Sequence, residues 1–354
     1  MKFYTKQHKY YCGVDLHARS LYVCIIDQKG EIVKHKNIDA TREAFLKIIK
    51  DCREDVVVAV ECMFAWYWLA DLCQRENIPF VLGHALYMKA IHGGKAKNDR
   101  IDAHKIAALL RGGGMIPMAY IYPSEMRATR DLLRRRNHLM RKRADLLAHI
   151  QNTNHQYNLP KILKNVCYRG NRTGLAERFE DECVRKSMEV NISLIDHYDH
   201  LLKKLEYYMY KKAKVYDPEA LYRIQSIPGI GQTLAMIILY EIHDIKRFPR
   251  VQDYVSYCRL VKPAKESAGK IYGHSGGKIG NAHLKWAYSE AAVLFLRKNP
   301  EAMKYKKKLE KKHGKAKALS ILAHKLGRAT YYILKRREVF NLDKFLNKQL
   351  AKAG

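Results

Sequence analysis

Acidic residues are scarce in this chain of 354 residues, with 35 Asp and Glu against 66 Lys and Arg. Also missing is any Cys-x-x-Cys pair with a neighbouring His-x-x-x-His. The eight cysteines, at 12, 24, 52, 62, 73, 167, 183 and 258, lie mostly inside apolar runs. This excludes a disulfide frame and a zinc site of ordinary spacing, and it is the thiol usage of a reducing compartment. No stretch reaches the roughly 20 apolar residues of a membrane span, and no secretory signal pattern opens the chain, so a cytoplasmic location without membrane contact is expected. Gly-x-x-x-x-Gly-Lys-Ser/Thr occurs nowhere, which disfavours nucleotide hydrolysis on a P-loop. Long repeats are absent, and the one biased tract is the Lys-rich run from Lys304 to Lys317.

What is present is enough apolar material, 47% of residues, for two or three domains with their own cores. The net charge is +31, and 24 tyrosines are spread among the charges. A polyanion is the natural partner, because basic surface releases counterions from a phosphate backbone. The plainer alternative is a soluble basic protein.

The N-terminal part reads as alternating strands and helices. Tyr10 to Leu16, Leu21 to Ile26 and Glu31 to His35 are strands of a meander, with a turn at Gln28-Lys29-Gly30. A helix from about Thr41 to Cys52 follows, then Asp55 to Glu61, whose unbroken apolar run suits a buried parallel strand. A helix near Ala65 to Glu76, a strand from Ile78 to Leu82 and a short helix lead to a last helix. Meander, helix, strand, helix, strand, helix is the order of a ribonuclease H-like α/β domain.

That last helix opens with two carboxylates. In Lys97 to Leu110, Ala103, Ile106, Ala107 and Leu110 form one apolar face, and Gly93, Gly94 and Asn98 mark the loop before it. Asp99 and Asp102 fit an N-cap and a first-turn acid. They also fit a site, because Asp15 lies on the first strand and Glu61 at the end of the fourth. In an α/β sheet such strand ends and helix starts converge on the ligand-binding edge. Four carboxylates gathered there repel one another unless cations lie between them. Mg²⁺, a hard ion taking oxygen ligands, fits, and two ions roughly 4 Å apart can clamp a phosphodiester. Gly13-Val14-Asp15 also resembles the first strand of an actin-like ATPase, but Leu16-His17-Ala18-Arg19-Ser20 replaces the Gly-Thr-rich phosphate turn.

From Ser124 a long helix repeats Met126, Leu133, Met140 and Leu147 every seven residues, with Leu132, Leu139 and Leu146 beside them. A heptad calls for a partner helix, here Ser187 to Lys214 with Met188, Ile195, Leu202 and Met209, giving an antiparallel coiled-coil hairpin. Arg127, Arg130, Arg134, Arg135, Arg136, Arg141, Lys142 and Arg143 decorate the first helix with almost no local acid. Such a run is either a solvated face or a contact to nucleic-acid backbone. Arg136 and Arg143 interrupt the seam, where a second subunit's acids or RNA are expected, so a homo-oligomer is anticipated. The segment from Asn154 to Lys186 is polar and gives no clear reading.

Leu221 to Ala235 holds two short helical stretches around Ile227-Pro228-Gly229-Ile230-Gly231, similar to a helix-hairpin-helix module. Gly229 and Gly231 let backbone N–H groups approach a phosphate there, although a plain helical turn also fits. Ser267 lies between Lys265 and Lys270, and Ser275 precedes Gly276-Gly277-Lys278. A serine hydroxyl needs a base, a metal or a positive field before it is a good nucleophile, and a loop serine is commonly a turn residue. The chain thus divides into an α/β domain over 1–123, a basic hairpin over 124–215 and a mostly helical domain over 216–354.

Together these residues resemble the insertion-sequence transposases of the one-ten family, the serine recombinases guided by a bridge RNA, over most of the chain. The Lys-x-Asp-x-x-Asp-Ala core at Lys97 to Ala103 is the most specific part. The resemblance implies a RuvC-like domain whose Asp-Glu-Asp-Asp set is Asp15, Glu61, Asp99 and Asp102. It also implies a second domain with the Ile-Pro-Gly-Ile-Gly hairpin, a nucleophilic serine, and a later Gly-Asn-x-x-Leu, here Gly280-Asn281-Ala282-His283-Leu284. Spacing puts Ser267 at the nucleophile position, with Ala268 replacing the usual small polar or Gly residue and Ser275 the competitor. The implied chemistry is attack of Ser267 on a DNA phosphodiester to give a phosphoserine, with Mg²⁺ on the four acids. The implied partners are target and donor DNA, a non-coding guide RNA, and further copies of the chain as a dimer or tetramer. A hydrolytic RuvC-like junction nuclease and a non-catalytic RNA-binding scaffold remain the alternatives.

Overall fold

A computed structural model describes residues 2–85, 87–88, 98–262, 264–274, 279–297 and 299–347. The chain divides into two compact units, Met1–Ser124 and Glu125–Gly354.

The first unit contains β1 (Tyr10–Leu16), β2 (Ser20–Asp27), β3 (Ile32–Asp39), α1 (Arg42–Ile49), β4 (Val56–Glu61), α2 (Tyr67–Arg75), β5 (Phe80–Gly83) and α3 (Asp99–Arg111). Its five-stranded sheet has the order β3-β2-β1-β4-β5, antiparallel across β3, β2 and β1 and parallel across β1, β4 and β5. Side chains alternate across this sheet. Cys12, Val14, Leu16, Val58 and Val60 pack with Phe45 and Ile49 of α1 and Leu69 and Leu72 of α2. Tyr11, Val57 and Ala59 pack with Ala103, Ile106 and Ala107 of α3 on the other face. Both faces of β1 and β4 are therefore dry, which is why their sequences are unbroken apolar runs. β3 extends to Asp39, past the expected end at His35. It is an edge strand with polar, largely exposed side chains, so backbone pairing to β2 holds it without an apolar pattern.

The second unit contains α4 (Ser124–Gln156), α5 (Glu182–Tyr216), α6 (Pro218–Gln225), α7 (Gln232–Ile242), α8 (Val251–Tyr257), β6 (Ala264–Ser267), β7 (Lys270–His274), α9 (Ala282–Phe295), α10 (Pro300–His313), α11 (Lys315–Arg336) and α12 (Leu342–Asn347). Every residue of α7 from Leu234 to Ile242 is buried, the condition of a helix apolar on nearly all sides. Ala287, Tyr288 and Phe295 of α9 and Leu322 and Leu326 of α11 complete this core.

Helices α4 and α5 run antiparallel, since Arg136 pairs with Glu206, Arg143 with Asp199 and His149 with Asn191, descending in step. The seam differs from the expected continuous heptad. Met126, Leu133 and Met209 enter the core around α7, whereas Leu147, Ile150, Met188 and Ile195 belong to a separate cluster with Val166, Leu175 and Phe179. That second cluster explains the unread polar segment. It folds back on the hairpin through a few apolar residues and through Arg172, which is buried and bonds Asp196, Asp199 and the carbonyls of Val166 and Cys167. Arg136 and Arg143 find their acids within this chain, so the premise that they leave a seam for a second subunit is corrected.

None of the eight cysteines is in a disulfide, and five of them, Cys12, Cys24, Cys52, Cys73 and Cys258, are buried. Among the described residues no helix is long and apolar enough to cross a membrane.

Candidate functional site

The acidic site is built by the alternation of the sheet. β1 and β4 pair as Tyr11 with Val57 and Gly13 with Ala59, all facing α3. Two residues further along each strand, the same parity carries Asp15 and Glu61 toward the α3 face at the C-terminal ends of the two strands, but among the described residues neither Glu61 nor Asp102 joins the group of ligand atoms set closely around Asp15. Gly13 is the reason α3 can reach them. A Cβ there would lie 2.2 Å from the Ala103 carbonyl oxygen and 2.4 Å from the Ala107 nitrogen, so the helix backbone rests on the strand backbone. Asn98, not Asp99, caps α3 by accepting from the Ile101 N–H at 2.8 Å. The cap reading of Asp99 is corrected, and its carboxylate is left for the site.

His17, just past the end of β1, completes the cluster. Its Nε2 lies 3.5 Å from an Asp15 oxygen and 3.3 Å from an Asp99 oxygen. Asp15, His17 and Asp99 offer ligand atoms all within 4.8 Å of one another. Burial pushes the Asp15 carboxyl up, His17 pulls it back, and the charges of Asp99 and Asp102 add to the rise. Asp102, partly exposed, has Lys105 at 4.0 Å. Carboxylates that repel one another, with an imidazole nitrogen between them, fit a divalent cation. His17 was not singled out in the sequence. Its signal is position alone, an imidazole two residues after the first acid where the β1–β2 turn must fold back, with the His17 N–H donating to the Ser20 carbonyl. Lys97 lies outside the described residues.

In the second unit Ser267 belongs to a β-hairpin and not to an irregular loop. It ends β6 and pairs with Lys270, and Ala268 and Gly269 between them have φ of 49° and 72°. Two central residues at positive φ are those of a tight type I′ hairpin turn. Glycine takes this conformation freely, whereas Ala268 holds it at a cost of about 1 kcal/mol or more. Lys265 stands on the same strand and Lys270 opposite, and Ser267 is exposed. Ser275 and Lys278 lie outside the described residues.

The Gly-Asn-x-x-Leu element following this hairpin has a structural account. Gly280 has φ of 94° and its Cβ position would lie 2.7 Å from the Tyr257 carbonyl oxygen. Asn281 caps α9, accepting from the His283 and Leu284 N–H groups at 2.9 and 3.1 Å. Its amide donates to Glu241 at 2.7 Å. Glu241, 1% exposed, also takes two hydrogen bonds from Arg134 and one from Arg130. Burial raises this carboxyl, but the Arg134 hydrogen bond, the charges of Arg130 and Arg134, and Asn281 outweigh it and hold it at about 2.

These contacts divide the Arg-rich run. Arg127, Arg130 and Arg136 are buried, Arg134 and Arg143 are partly exposed and paired to acids, and Arg135, Arg141 and Lys142 are exposed. The absence of local acid is made good from a distance, by Glu241, Glu206 and Asp199. Gly229 is also turned inward. Its φ is 85°, and its Cβ position lies 2.5 Å from the Phe295 nitrogen, so it seats the turn on the end of α9. Gly231 has open space and precedes α7 without a side-chain cap.

Comparison with known proteins accounts for both units. Residues 12–158 match a profile described as a DEDD transposase of the IS110 type. Residues 221–307 match one described as a transposase of the IS116/IS110/IS902 family. The chain is 25% identical over 346 residues to the transposase for insertion sequence element IS1111A of Coxiella burnetii (strain RSA 493 / Nine Mile phase I), covering 93% of this chain and 90% of that protein. With both halves matched by transposase profiles and nearly the whole length aligned to an insertion-sequence transposase, this chain belongs to the IS110 family of transposases.

Proposed function

We propose that this transposase is an RNA-guided serine recombinase, in which Asp15, Glu61, Asp99 and Asp102 hold Mg²⁺ and Ser267 is the nucleophile. The observation that carries the metal part is the meeting of Asp15 on β1, His17 just after it and Asp99 at the start of α3, with Glu61 ending the neighbouring strand, and this suits the RuvC-like arrangement that the family resemblance implies. Bound Mg²⁺ supplies positive charge to the phosphoryl oxygens of a DNA backbone. The serine part is supported by the order of the glycine hairpin, Ser267 and Gly280-Asn281, and by Ser267 being exposed between two lysines.

In the reaction the Ser267 Oγ forms a bond to phosphorus, and the bond from phosphorus to one sugar oxygen breaks. That oxygen leaves as a hydroxyl, taking up the proton that Ser267 gives to solvent. A sugar hydroxyl of another strand then attacks the phosphoserine, restoring a phosphodiester and the serine. The bond energy stays in the protein–DNA link, so no ATP is consumed. Lys265, Lys270 and Lys278 stabilise charge on the phosphate, and Gly231 leaves backbone N–H groups open to one. A non-coding RNA pairs with target and donor DNA and supplies sequence, while Arg135, Arg141 and Lys142 meet backbone phosphates. Cutting several strands asks for one serine per strand, which a dimer or tetramer provides.

The test is a denaturing gel of the protein with labelled target and donor DNA and the RNA that copurifies with it. A covalent band lost in Ser267→Ala and kept in Ser275→Ala supports the assignment. The reverse pattern moves the nucleophile to Ser275. Cleavage without any covalent band identifies a hydrolytic junction nuclease, and RNA binding unaffected by Asp15→Asn with no cleavage at all identifies a scaffold.

A further inference from the structure

The second unit holds a cavity of its own. It lies between α11, the Glu338–Asn341 segment and α12, with a volume of about 1060 Å³. That is at the upper end of the roughly 300–1,000 Å³ usual for ligand cavities. Lys325, Arg328, Arg336 and Lys344 line it, with Glu338 as the acid of the lining, already paired to Lys344 at 3.8 Å. The excess of cationic groups asks for an anion.

Lys325 is the sharpest feature. Its Nζ is fully buried, has no hydrogen-bond partner among the described residues, and sits 4.5 Å from the ring centroid of Tyr305 and 4.6 Å from that of Phe345. An ammonium held by two ring faces keeps its positive charge partly compensated, but its N–H donors remain unused. Burial lowers it to about 8. At the cavity wall, Tyr332 is 36% exposed with the Arg336 guanidinium 4.8 Å from its ring centroid. A planar cation beside an exposed ring is a platform on which a base stacks.

We infer that this cavity binds an unpaired nucleotide of a nucleic-acid strand, its base against Tyr332 and Arg336 and its phosphate at Arg328, drawn by the buried charge of Lys325 in the wall behind it. A duplex presents phosphates but keeps its bases stacked on each other, so it cannot use the ring. A mononucleotide carries the same chemistry as one unit of a strand, and the two sources are separated by the test. The inference rests on the protein acting on nucleic acid and not on the chemistry of Ser267.

The experiment uses the full chain and follows binding of fluorescent oligonucleotides by anisotropy. A short single-stranded oligonucleotide is expected to lose about tenfold in affinity in Tyr332→Ala, whereas a duplex of the same sequence binds parent and variant equally. Lys325→Met, which removes a charge lacking hydrogen bonds and so does not threaten the fold, should weaken single-strand binding as well. A mononucleotide and an acidic peptide at equal charge should not displace the strand. Single-strand affinity unchanged in both variants, an equal loss for the duplex, or displacement by the mononucleotide or the peptide overturns the inference. Ser267→Ala should leave single-strand binding intact while removing the covalent band, so failure of one reading is distinguishable from failure of the other.

Discussion

Gly13 and Ala103 touch backbone to backbone, since a Cβ on Gly13 would stand 2.2 Å from the Ala103 carbonyl oxygen. No rotamer relieves such a contact, because both partners are main chain. α3 can therefore lie on β1 only where the strand has a glycine, and this seating brings Asp99 down to Asp15 and His17.

Gly13→Ala is expected to lift α3 from the sheet, costing about 1–3 kcal/mol as overpacking does. Metal-supported DNA cleavage should fall with it, while binding of nucleic acid by the second unit persists. Cleavage unchanged in a variant that melts at the same temperature would remove the close packing from the explanation.

Asp15→Asn removes one of several like charges crowded at the sheet edge. The metal-free variant should melt higher by about 2 °C, since relief of roughly 1 kcal/mol moves the midpoint of a domain this size by a few degrees. The rise in melting temperature that Mg²⁺ gives the parent protein should disappear. Thermal scans with and without Mg²⁺ decide it, and an equal metal response in both proteins would contradict the site.

Glu241 is predicted to hold the second unit together through its pairs to Arg130 and Arg134. Its carboxyl lies below the ordinary value, so the stability it contributes is present above about 4.5 and is lost as pH falls through about 2. Glu241→Gln leaves two guanidiniums without their charge partner and should cost about 3–5 kcal/mol. Denaturant unfolding at neutral pH and at pH 3 should show the gap between parent and variant narrowing in acid, and a constant gap would contradict the ion pair.

The basic helix should respond in two ways. Neutralising exposed Arg135, Arg141 and Lys142 should flatten the salt dependence of nucleic-acid binding by about one unit of slope per lost phosphate contact, with stability unchanged. Neutralising Arg130, Arg136 or Arg143 should lower the melting temperature first. Binding titrations over a range of salt, set beside thermal scans, separate the groups. A slope that ignores the exposed set would make it a solvated face.

The sequence by itself determined the elements of the first unit. Val56–Val60 could only be a strand dry on both faces, and the positions of Asp15 and Glu61 near strand ends already pointed to the ligand-binding edge, while the register of β1 against β4 came from the fold. Asp99 and Asp102 were legible because a helix start announces itself through its apolar spacing. Tertiary structure alone decided the partners. Whether an arginine of α4 faces solvent or Glu241 depends on an acid more than a hundred positions away, and no local pattern carries that distance. His17 was invisible for a related reason, since its imidazole acquires meaning only when α3 delivers Asp99 to it. The hairpin around Ser267 carries no periodic signal because all four residues of β6 are exposed, and its form is set by backbone pairing and by two positive φ angles. Periodicity records which side of an element is dry. It does not record which charge waits on the other side, and in a chain this basic the buried pairs, not the apolar runs, distinguish cations that hold the fold from cations left for nucleic acid.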